Sequence, residues 1–106
     1  MALGANFTRV TLGEHQGDPA LFLEGETVSP EEASAIFVAV PEGEGFRSVQ
    51  ADQVAGPWSA TFLPEAGRRI AIDRIITVIG VATRLDPADP PFVWQETLRI
   101  SGRAIA

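Results

Sequence analysis

The sequence predicts an all-β sandwich of about seven strands, on three observations. Turn-forming residues recur at short intervals, at Gly13 to Pro19, Glu24-Gly25-Glu26, Pro41 to Gly45, Gly56-Pro57, Pro64 to Gly67 and Asp86 to Pro91. The stretches between them are rich in Val, Ile, Thr and Phe, the side chains that suit a pleated, half-buried surface. No stretch carries a sustained apolar stripe at helical spacing, so short strands at regular intervals are the better account.

Each strand follows from its local pattern. Thr8–Leu12 and Ala20–Glu24 flank the turn around Gly17. Ala35–Val40 and Phe46–Ala51 flank Glu42-Gly43-Glu44-Gly45. Trp58–Phe62 places Trp58, Ala60 and Phe62 on one face, because the pleat sends every second side chain to the same side. Ile70–Leu85 is too long for one average strand and is expected to break near Asp73-Arg74 or bend at Gly80. In Phe92–Ile100, Phe92, Trp94, Leu98 and Ile100 share one face, and Val93, Gln95, Thr97 and Arg99 share the other, as in a half-buried antiparallel strand. Ser29-Pro30-Glu31-Glu32 resembles a helix start, with Ser29 placed to cap and Pro30 at the first helical position. The β-branched run after it favours strand, so a short helical turn over 30–34 is expected, with a longer helix through Val40 as the competing reading.

Composition bounds the function. A chain of 106 residues, 45% of them apolar, makes one domain with one core. There is no cysteine, which excludes disulfides, thiolate metal sites and a cysteine nucleophile. Fourteen acids against eight bases leave a net charge of −6, and the bases, all Arg, are scattered. A nucleic-acid surface needs several cations on one face, so nucleic acid is not an expected partner. The longest near-apolar run, Ile75 to Ala82, is too short to span a membrane, and Met1 to Val10 lacks the pattern of a secretory leader. The chain is therefore expected to work in the cytoplasm, inside a larger particle, or after loss of a targeting segment.

Chemistry is thinly supplied. His15 is the single histidine, in a turn beside Gly17-Asp18, with no nucleophile that the sequence can place next to it. Asp86 and Asp89 fall two to a Pro-stiffened loop, short of the six or more oxygens that calcium takes. Glu42 and Glu44, and Glu24 and Glu26, read as water-exposed turn residues, not as a pair facing across a cleft as glycoside hydrolysis needs. Arg68-Arg69 reads as a solvated pair at a turn. No cofactor and no catalytic residue are expected, and an accessory domain of an enzyme stands as a further alternative to a protein-binding module.

The chemical oddity is Ile75 to Ala82, which is apolar on both faces: Ile75, Ile79 and Val81 on one, Ile76, Val78 and Ala82 on the other. A bare row of that kind is an aggregation hazard and marks an interaction surface. Burying three such side chains contributes about 5–8 kcal/mol before entropic costs. The cover is either another subunit or partner protein, or an intrachain segment such as Met1 to Phe7. Phe92 and Trp94, beside the Pro-rich loop, are further anchors if they protrude. The candidate partner-binding set is thus Ile75, Ile79, Val81, Phe92 and Trp94. A pocket between Phe37, Trp58, Ile76 and Trp94 would instead suit a small apolar ligand.

Taken in order, Leu23-Glu24-Gly25-Glu26-Thr27-Val28, Ala35 to Val40, Gly56-Pro57-Trp58-Ser59-Ala60-Thr61-Phe62, Gly67, Ile76 to Ala82 and Leu98-Arg99-Ile100 resemble bacterial immunoglobulin-like domains. The likeness spans about residues 20–100, and Trp58-Ser59-Ala60 is its distinctive part. The chain departs from the family at Thr83-Arg84-Leu85-Asp86, and has neither a tyrosine corner nor an inter-sheet cysteine pair. The resemblance implies an antiparallel immunoglobulin-like sandwich and a non-catalytic module for adhesion, spacing or display, including as an accessory of virions and other large particles. It carries no site residue across.

Overall fold

The computed structural model describes residues 3–64 and 74–102. Seven strands run in the order β1 (Gly4–His15), β2 (Asp18–Val28), β3 (Ala33–Glu42), β4 (Gly45–Gln50), β5 (Pro57–Phe62), β6 (Ile75–Arg84) and β7 (Phe92–Gly102). They form one mixed sheet in spatial order β4-β3-β6-β7-β1-β2-β5, curled into a half-barrel. The all-β expectation holds, but Glu24-Gly25-Glu26, expected as a turn, lies inside β2, where Gly25 makes room for the Trp58 ring of the next strand. Of the long sixth segment, Ile75–Arg84 is strand, while Ile70–Asp73 lies outside the described residues.

Local chemistry sets the turns. β1 and β2 are joined by Gln16-Gly17, both at positive φ (53° and 87°), the backbone that a tight two-residue hairpin requires. In the β3–β4 hairpin Gly43 takes φ 63°, the first central position where glycine is preferred. Pro30–Glu32 forms a single 3-10 turn, and Ala33 is already extended (φ −102°, ψ 145°). The helix through Val40 does not form, because the branched side chains that follow pair with β4 and β6. Ser29 does not cap with its side chain. It sits at φ 56°, and its carbonyl accepts the Glu32 N–H at 3.1 Å.

One neighbour relation differs from the expected antiparallel arrangement. β1 and β7 pair in parallel, Val10–Leu12 against Ile100–Gly102. Parallel neighbours need a long connection, and here the rest of the chain supplies it. The pairing is short. Upstream of it, past an irregularity at Thr8, the Phe7 N–H donates to Glu96 Oε2 at 2.6 Å. The Glu96 side chain thus takes the place of a strand partner, and it also accepts from Trp94 Nε1 at 3.2 Å. A carboxylate on a core-facing position is tolerable because two N–H groups satisfy it.

The inner face of the curl holds the core. Trp58, Leu23, Ile36, Ile100, Val10, Val38, Val40 and Val78 are its largest fully buried side chains. Each half of the sheet contributes one tryptophan laid across a glycine of the adjacent strand. Trp58 covers Gly25, its direct partner on β2, and Trp94 covers Gly80, its direct partner on β6. A Cβ at either glycine would collide with the indole. Phe7 joins the two, 5.6 Å from Trp58 and 5.2 Å from Trp94 between ring centroids.

The outer strands β4 and β5 approach each other across the mouth of the curl. Arg47 of β4 lies 4.5 Å from the Phe62 ring centroid, donates to the Leu63 carbonyl and pairs with Glu42 at 3.0 Å. Asp52, in the crossing segment, accepts the Ser59 N–H through Oδ1 and donates its own N–H to the Ser59 carbonyl, both at 2.9 Å.

Candidate protein-interaction surface

The pleat that sends Ile36, Val38, Val78 and Ala82 inward must send their neighbours outward. On β4-β3-β6-β7 the register aligns those outward side chains in rows. Gln50, Phe37, Val81 and Val93 face one another across four strands, and Ser48, Ala39, Ile79 and Gln95 form the next row. Beyond them lie Phe46 opposite Pro41, and Thr77 opposite Thr97, whose hydroxyls meet at 3.2 Å. Ile75 opposite Arg99 closes the face. Ile75, Val93 and Phe46 are 58%, 58% and 55% exposed. Arg99 is the one charge among these outward residues.

The five sequence-derived candidates divide between the two sides of the sheet. Ile75, Ile79 and Val81 belong to the outer face. Phe92 and Trp94 point inward, stacked at 5.7 Å and packed against the core. They are not protruding anchors, because alternation places them with Leu98 and Ile100. The segment expected to cover the outer face serves the opposite side: Leu3 and Phe7 are buried in the core, and Met1 lies outside the described residues. Among the described residues, the outer face is left uncovered. Phe37, Val93 and Phe46 complete it. Their strand positions were readable, but their neighbours depend on register across strands.

The proposed ligand pocket does not assemble as expected. Phe37 lies on the outer face, while Trp58 and Trp94 stand inside, 6.4 Å apart, with Phe7 against both. His15 is exposed at the β1–β2 hairpin. Asp86 Oδ1 accepts the Ala88 N–H and its carbonyl accepts the Asp89 N–H, each at 3.0 Å, so that loop is a side-chain-stabilised turn. Among the described residues, no group of three or more His, Asp or Glu side chains converges on a metal-sized site, and no helix is long and apolar enough to cross a membrane. Arg68-Arg69 lies outside the described residues.

The outer face of β1-β2-β5 is built differently. Arg9 pairs with the directly opposed Glu24, and the hydrogen bond and charge of Glu24 raise the guanidinium pKa further above its ordinary value. Phe22 folds over Gly13. Arg9, Thr11, Phe22, Glu24, Ser59 and Ser101 line an open groove of about 710 Å³. No protein-family profile, curated protein or solved structure matches the chain.

Proposed function

We propose that the chain is a non-catalytic, immunoglobulin-like module that docks on a larger protein assembly through the outer face of β4-β3-β6-β7. The observation that carries this reading is the near absence of charge from that face in a chain with 22 charged residues, 14 acidic and 8 basic. Depletion of charge with retained Phe, Val and Ile is the composition of an interface centre, not of a solvated sheet. Strand order supports the immunoglobulin-like part. The first, second and fifth strands are neighbours, as are the third, sixth and seventh, and β4 extends the latter layer beside β3 as in a variable-type domain. On the other face Arg9 is engaged by the opposed Glu24, in keeping with a role without catalysis. An accessory of a virion or other particle, or an adhesion or spacer module, is the kind of setting such a surface fits.

The test is size fractionation of extracts from the native cell. The wild-type chain is expected to migrate with a large assembly. Val93→Glu is expected to release it, and Arg9→Ala, on the other face, is expected to leave it bound. A wild-type chain found only at its own size would overturn the reading.

A further inference from the structure

We infer that the partner seated on the outer face of β4-β3-β6-β7 is a second copy of this chain, packed face to face with its strands reversed. The inference rests on the reading above that this face is a docking surface, and it names a second copy rather than a foreign component as the occupant. Two observations select a second copy. The first is charge. Copies carrying −6 each repel unless they meet where neither presents an acid, and the outward rows of this face present none.

The second is the placement of the single cation. A two-fold axis parallel to the sheet, just outside its outer face and running along the Ile79–Gln95 row, sets Ile79 against its own copy and reverses β7. Arg99 stands four residues from Gln95 toward one end of that strand, and the exposed Asp89 precedes the other end, six residues away. Reversal therefore brings Arg99 of each copy to the Asp86–Pro91 loop of the other, twice per dimer. That mutual match of one patch with itself is what an isologous interface requires. The extent is adequate. Three strands of 10 or 11 residues, about 33 Å long, and the six-residue β4, about 20 Å long, spaced about 4.8 Å apart, give roughly 600 Å² in projection, the lower end of stable interfaces.

Sedimentation of the purified chain from about 1 to 200 µM tests the inference, a range covering micromolar dissociation constants. The wild type is expected to be dimeric at the upper end. Val93→Glu, at an exposed position, is expected to be monomeric with an unchanged circular dichroism spectrum. Arg99→Asp and Asp89→Arg are each expected to weaken the dimer at least tenfold, and the double swap to restore it to within about threefold. A wild type monomeric throughout, a dimer indifferent to Val93→Glu, or a double swap no stronger than the singles would overturn it. A monomer that still migrates with a large assembly in cell extracts would remove this inference and leave the docking reading standing. A dimer broken by Val93→Glu, in cells where the chain is found at dimer size alone, would support self-association and remove the larger assembly.

Discussion

The two halves of this sheet are alike inside and unlike outside. Inside, β1-β2-β5 and β4-β3-β6-β7 repeat one device, a tryptophan across a cross-strand glycine: Trp58 on Gly25 and Trp94 on Gly80. Outside, the first half carries Arg9, Glu24 and Glu26, whereas the second aligns Phe37, Val81, Val93, Ile79 and Ile75 with one arginine at its end. Core packing constrains only inward side chains, so it explains the likeness and not the contrast. A face left free by folding would be expected to carry charge for solubility. The first half does so and the second does not, which is why function is sought on the second.

The largest expected effects test the likeness. Gly25→Ala should cost about 3 kcal/mol or more, because the new methyl meets both the fully buried Trp58 and the backbone oxygen of Asn6, which cannot step aside. Gly80→Ala should cost less, about 1–3 kcal/mol, because the three nearest atoms to the new methyl all belong to the partly buried Trp94 side chain and none to backbone. Urea unfolding of the two variants measures both, and equal losses would mean that the halves are packed with equal rigidity. Next is the seam between the halves. Glu96→Ala should cost about 1–3 kcal/mol by leaving the Phe7 N–H and the Trp94 indole N–H without their acceptor. Hydrogen exchange at the Phe7 amide should accelerate with it, and an unchanged rate would assign that protection to something other than the carboxylate.

The smallest stability effects test the contrast. Val93→Thr on the exposed outer face should change stability by no more than about 0.5 kcal/mol, as is usual for surface positions. It should nevertheless lower affinity at that face, so that denaturation and association respond separately. Arg9→Ala should leave both the urea midpoint and association unchanged, since its pair with Glu24 is open to solvent. A large loss of association in Arg9→Ala would shift the search for function to the first half.

Much of the fold was legible along the chain. Gln16-Gly17 and Gly43 mark hairpins because few residues adopt positive φ, and Trp58-Ser59-Ala60 reads as a strand from its alternation. The inward set of β7 was likewise readable, apart from Glu96. A carboxylate within a core-facing row makes sense only once Phe7, 89 residues earlier, is known to lie beyond the short β1–β7 ladder, with its N–H turned to that carboxylate. The candidate surface was half legible. Ile75, Ile79 and Val81 stand out as a second apolar row on one strand, while Phe92 and Trp94, whose size suggests anchors, are turned inward by the same alternation.

By itself the sequence determined that the chain is built of strands, where the hairpins around Gly17 and Gly43 fall, and which side chains within a strand share a side, because those properties depend on residues a few positions apart. It did not determine that β2 continues through Glu24-Gly25-Glu26. Only the tertiary structure decided that β7 lies parallel to β1, that each tryptophan rests on a glycine of the next strand, and that Phe37, Val81 and Val93 stand in one row. Strand neighbours and register are set by the packing of the whole core, where distant segments must fit together at once. No short stretch of chain carries that information alone.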